Sequence, residues 1–122
     1  MIEGSFDGRA IGRQQLLQLL RDACASASAL CEDPAISSEL WQGRARSAIR
    51  SCAMLHRGLI NSHPPIADEL YILSTEIQIA LAAQSDGALF AERLQRIRRA
   101  ILRLQQSRID SQRPQDSSGL HA

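Results

Sequence analysis

The chain is expected to be all-α, an antiparallel up-down four-helix bundle, and three observations carry that expectation. Val is absent, Thr occurs once and aromatic residues make up only 3% of the chain, so the side chains that favour strands are scarce. Leu, Ala, Gln, Glu and Arg, which keep most of their freedom in a helix, are plentiful instead. Apolar residues recur at alternating steps of four and three in four separate stretches, the spacing of one helix face. A length of 122 residues allows one domain with one modest core.

Residues 1–11 hold two Gly and no apolar period, and are expected to be a mobile arm with Phe6 as its anchor. The first helix is expected from about Gly12 to Cys31, with Leu16, Leu20, Ala23, Ala27 and Leu30 as its inward stripe. The run Ala25-Ser26-Ala27-Ser28-Ala29 keeps its second half slim, so a neighbouring helix is expected to approach closely. Asp33-Pro34 ends it, because a residue before Pro avoids the α region. The second helix starts near Ser37 or Ser38, residues that cap helices well, and buries Trp41, Ala45, Ala48, Cys52, Leu55 and Leu59. The run from Asn61 to Pro65 stops it. The third opens at Pro64-Pro65, since Pro is well tolerated in a first turn, and turns Ile66, Leu70, Leu73, Ile77, Ala80 and Leu81 inward. After Asp86-Gly87 the fourth carries Phe90, Leu94, Ile97, Ile101 and Leu104. The bundle is thus expected over residues 12–108, followed by a polar, disordered tail over 109–122.

The net charge of +1 gives the whole molecule no bias toward nucleic acid or anionic membrane. No apolar run reaches the roughly 18–20 residues that span a bilayer, so no membrane insertion is expected. The acidic, polar N-terminus is unlike a signal peptide and points to a cytoplasmic protein. Cys24, Cys31 and Cys52 form no CxxC pair and have no His at ligand spacing, so they read as buried, reduced thiols. His56, His63 and His121 are scattered, and neither a phosphate-binding Gly loop nor a nucleophile elbow is present. No catalytic residues, metal or cofactor are therefore expected, and the protein is not expected to be an enzyme.

Three surface features remain. His56 invites comparison with histidine phosphotransfer bundles, which place a basic residue and a Gly one turn after an exposed His. Here Arg57 and Gly58 follow immediately, and at about 100° per residue they fall on other faces. The row Arg93, Arg96, Arg99 and Arg103 lacks aromatic interleaving, and reads as a solvated face paired with Glu92 and Asp residues nearby rather than a nucleic-acid surface. Ile72 and Ile79 lie off the stripe of the third helix, so that helix is apolar over more of its circumference than a bundle needs. They mark either deeper burial or a groove for another chain's amphipathic helix.

The run LLQLLRDACASASAL, then ARSAIRSCAMLHRGL, then IADELYILSTEIQIALAAQSDGALFAERLQRIRRAILRL resembles the flagellar secretion chaperone FliS family. The segment Leu16 to Asp22 is similar to a family motif in the first helix. Ile66, Ala67, Leu70, Leu73, Leu81 and Asp86 follow a later Leu/Ile pattern, and the likeness spans about residues 12–105. It departs at Arg21 and Ser74, where the family usually has aromatic residues, and it lacks the family's Trp late in the last helix. The resemblance implies a non-enzymatic export chaperone. Such a protein binds the C-terminal segment of flagellin, or a similar secreted substrate, prevents premature polymerisation and presents it to the export gate. It places Leu16, Leu20, Ile72, Ile79 and Ala83 near the partner-binding grooves, and lets the Phe6 arm cover a groove in the free protein. A phosphotransfer-like signalling bundle, or a homodimeric adaptor using the Ile72/Ile79 face on itself, are the alternatives.

Overall fold

A computed structural model describes residues 12–112. Four helices follow in order, α1 Arg13–Glu32, α2 Ser38–Leu59, α3 Pro64–Ala82 and α4 Gly87–Gln112. Short connections make each helix antiparallel to the next. α2 packs on α3, α3 on α4, and α1 closes the ring between α2 and α4. The expected arm with Phe6 lies outside the described residues, as does most of the expected tail. α4 itself continues to Gln112, past the expected end at 108. Polar residues do not break a helix, and the first residue that opposes one is Pro114.

The helix ends follow local chemistry. Ser37 Oγ accepts the Leu40 N–H at 3.2 Å, and Asp86 Oδ1 accepts the Leu89 N–H at 3.2 Å, each satisfying one orphan donor of a first turn. Pro64 and Pro65 open α3 without a side-chain cap, because their missing N–H groups leave fewer donors to satisfy. At the other end of α1, Arg98 on α4 donates to the Cys31 carbonyl at 3.1 Å, placing a cation at the negative helix end. Ser37→Ala is expected to cost about 1 kcal/mol in a urea unfolding titration, the usual value of a lost cap.

One core fills the ring. Leu20, Leu30, Trp41, Leu59, Ile66, Leu70, Leu73, Ile77, Ile97 and Leu104 are fully buried. The inward stripes of α1 and α2 are buried throughout, while Leu81 on α3 and Phe90 on α4 are half-buried and pack against the core. Trp41 is the joint: its indole N–H donates to the Leu30 carbonyl at 3.0 Å and its ring meets Phe90 edge-on at 4.8 Å. The ends of α1, α2 and α4 therefore meet at one side chain. Ser74 is the polar residue inside the core, and its hydroxyl donates to the Tyr71 carbonyl one turn back.

The small residues Ala23, Cys24 and Ala27 are the ones α1 turns into the bundle in its second half. α1 is seated less closely against its neighbours than α3 is. Of the Ala-Ser run, only Ala27 is buried; Ala25 and Ser26 are exposed, and Ser28 and Ala29 half-exposed. Small side chains shorten a contact only where they point at it. Two clefts flank the helix, one of about 300 Å³ beside α4 and one of about 290 Å³ beside α2.

Candidate functional site

α3 carries two independent sets of apolar residues. Ile66, Leu70, Leu73, Ile77 and Ala80 are buried and account for its packing into the bundle. At about 100° per residue, Glu69, Ile72, Glu76, Ile79 and Ala83 fall within a second sector about 80° wide, on the flank toward α4. That flank is identified by the Glu69–Arg103 ion pair, 3.4 Å between Oε1 and Nε. Two antiparallel helices pass each other residue for residue, so this contact sets the register. About two turns along, Glu76 comes level with Arg96, and about two turns beyond that Ala83 comes level with Leu89. Ile79 is 37% exposed and Leu89 similarly so, whereas Ile72 is half-buried against the core and Ala83 closes the patch at the end of α3.

The polar atoms of this face are incompletely paired. Arg103 is mostly exposed, so its attraction to Glu69 is worth about 1 kcal/mol or less. Glu69 Oε1 is near enough to Arg103 for that attraction but is shut from solvent and makes no hydrogen bond. Glu76 Oε1 and Arg93 Nε are also sequestered without a hydrogen-bond partner. The arginine row was expected to pair with Glu92 and Asp residues; the ion pair that Arg103 makes is with Glu69 instead, and Arg98 bonds a backbone carbonyl.

The five residues expected to bind a partner do not share one surface. Ile72 and Ile79 lie together on α3, whereas Ala83 is the buried cap residue that follows its last turn. Leu16 is 7% exposed and Leu20 not at all, so both are core side chains of α1. Their four-three spacing is the reason: they sit on the stripe that faces the bundle. The cavities flanking α1 were not anticipated. Leu102, 64% exposed, borders the one beside α4 with Cys31, Arg98 and Ile101, and Met54 borders the one beside α2 with Leu19 and Ala23. A signal was present, since each is an apolar residue directly beside a stripe position.

His56 is half-buried, and its Nδ1 lies 3.0 Å from the Ala67 carbonyl. A carbonyl only accepts, so this nitrogen carries the proton and ties α2 to the start of α3. Arg57 is exposed and Gly58 buried, so the open basic surface that phosphotransfer needs is not assembled around the ring. The three cysteines are buried, and none of them is in a disulfide. Burial, with neighbouring Cys24 adding to it, pushes the Cys52 thiol up to about 12 from its ordinary 9.0. Between those values the unfolded chain has lost this proton and the folded chain still holds it. Stability is therefore full below about pH 9 and falls as pH rises toward 12. Burial raises the Cys31 thiol as well, against the nearby Arg98, so part of the loss is expected to remain when Cys52 is replaced. Urea unfolding at about pH 8 and about pH 10 is expected to show a loss that is smaller in Cys52→Ala.

No protein-family model, curated protein or solved structure matches this chain. Among the described residues, no helix is long and apolar enough to cross a membrane. No group of three or more His, Cys, Asp or Glu side chains there is placed to hold a metal ion.

Proposed function

We propose that the chain is a cytoplasmic, non-enzymatic export chaperone that holds the C-terminal segment of flagellin, or of a similar secreted protein, against its outer helical faces. The observation that carries this reading is the second apolar set on α3. Ile79 is surplus to a core that Ile66, Leu70, Leu73 and Ile77 fill and reaches solvent, and Ile72, half-buried against that core, lies on the same flank one seven-residue step away. An amphipathic helix laid on such a face uses anchors at the same seven-residue spacing. The FliS-like order of Leu and Ile positions over residues 12–105 supports the assignment to flagellar export.

Magnitudes favour a long partner. Each apolar side chain newly covered contributes at most about 1.5–3 kcal/mol, and the partner's ordering opposes it. A micromolar complex needs about 8 kcal/mol net, more than Ile72 and Ile79 supply together. The bordering residues Met54 and Leu102, in the clefts beside α1, offer further anchors to a segment that runs across several faces. Mixing the protein with monomeric flagellin is expected to give a complex on size-exclusion chromatography and to slow filament growth in light scattering. A partner with no micromolar complex, and unchanged amide exchange along α3 in its presence, would reject the reading.

A further inference from the structure

We infer that the face shared by α2 and α3 docks single-stranded nucleic acid, with an arginine row for the phosphates and Tyr71 for a base. This goes beyond the proposed segment-binding role and uses other residues. Arg46, Arg50 and Arg57 are exposed and fall within about 40° of one another on α2, spread over about 16 Å of its axis. Gln42 and His56 mark the side of α2 that meets α3. Gln42 Nε2 donates to Gln84 Oε1 at 2.8 Å, and His56 Nδ1 lies 3.0 Å from the Ala67 carbonyl. Arg46 follows Gln42 by one turn and Arg57 adjoins His56, so the row runs along the outer surface of α2, starting on its α3 side. Across that seam Tyr71 is 60% exposed, its ring centred 5.7 Å from that of His56. The fold thus sets an open aromatic ring beside a basic row, a juxtaposition that α2 alone does not carry.

No carboxylate interrupts the row. The stretch from Leu40 to Ala67 holds four Arg and neither Asp nor Glu. Among the described residues no carboxylate is within ion-pair distance of Arg46, Arg50 or Arg57. The acids around the face stand at its edges. Glu39 lies about two turns before Arg46, Asp22 borders the α1 flank beside Met54, and Asp68 is turned about 100° around α3 from Ala67, away from α2. The α4 row differs, since Glu92 falls within it and Glu69 holds Arg103. Charge is screened over about 8 Å at physiological salt, so a ligand here meets the row and not the net +1 of the molecule. Guanidinium groups match phosphate oxygens, and an exposed ring stacks on any base. A single strand offers phosphates and free base faces together. A duplex hides its base faces, and an acidic peptide or a lipid headgroup offers charge alone.

The test titrates the full chain into a labelled oligouridine of roughly 20 nucleotides and reads fluorescence anisotropy. Binding is expected to weaken about 20-fold between about 50 and 200 mM salt, the log–log slope of about −2 that three phosphate contacts give on a single strand. Arg46→Gln/Arg50→Gln is expected to cut that slope to about −0.7. Tyr71→Ala is expected to weaken binding about five-fold or more and leave the slope unchanged. Arg96→Gln/Arg99→Gln on α4 is expected to change neither, and circular dichroism confirms that each variant is folded. No binding in low salt, a slope that survives loss of Arg46 and Arg50, full affinity in Tyr71→Ala, or an equal loss in the α4 variant overturns the inference. So do phosphatidylglycerol vesicles or polyglutamate that displace the oligonucleotide and bind Tyr71→Ala as well as the wild type, because the row then reads charge alone.

Discussion

Trp41→Ala is expected to remove about 3–5 kcal/mol of stability in urea unfolding followed by circular dichroism. Against the total of about 5–15 kcal/mol usual for a single domain, that brings the fold near its limit. The size of the effect follows from what the side chain joins. The indole is fully buried, packs edge-on against Phe90 of α4 and donates to the Leu30 carbonyl in the last turns of α1. Truncation opens a cavity at the meeting point of three helices and strands a buried acceptor. Trp41→Phe separates the two contributions, since it keeps an aromatic ring and loses the N–H. Its expected cost is about 1–3 kcal/mol, set by the unpaired carbonyl. A loss below about 1 kcal/mol for the alanine variant would mean that α1 is held elsewhere.

The second large effect is a contrast between two neighbours on α3. Ile77→Asp is expected to unfold the protein, because its side chain has no solvent exposure and a buried, unpaired carboxylate costs several kcal/mol on top of the lost packing. Ile79→Asp places the same charge two residues on, where the side chain is 37% exposed and the carboxylate can reach water, and is expected to cost about 1–2 kcal/mol and leave the chain folded. The cost of Ile79→Asp is instead expected in partner binding, by about 2 kcal/mol or more, since a carboxylate replaces an apolar anchor in a covered interface. Thermal melts of the two variants, run beside the wild type, test the folding half of this contrast.

The frame of the fold could be read before any coordinates. Pro34, Ser37, the Pro64-Pro65 pair and Asp86-Gly87 punctuate the chain through backbone restrictions that act locally, and the helices begin and end beside them. The four-three stripes named the large core side chains, because helical geometry fixes which face turns inward, and missed small buried residues such as Ala67, Ser74 and Ala100. Distance between helices is a different matter. It depends on side chains of two elements meeting in space, so the clefts flanking α1 had no local signature beyond Leu102 and Met54. The same limit applies to the site. Periodicity separated Ile72 and Ile79 from the core stripe, yet only tertiary packing decides that Ile72 is half-covered while Ile79 reaches solvent. Leu16 and Leu20 show the converse: likeness to a family pointed to a groove, whereas their own spacing had already placed them in the core.

The decisive measurement is calorimetric titration of the C-terminal segment of flagellin into the wild-type protein and into Ile79→Asp, both shown to be folded. A micromolar or tighter complex with the wild type, weakened at least about 30-fold by the substitution, is the predicted result, equivalent to a loss of about 2 kcal/mol. Equal binding by the two proteins would contradict the role given to the outer face of α3. No binding by either would contradict the export-chaperone reading itself.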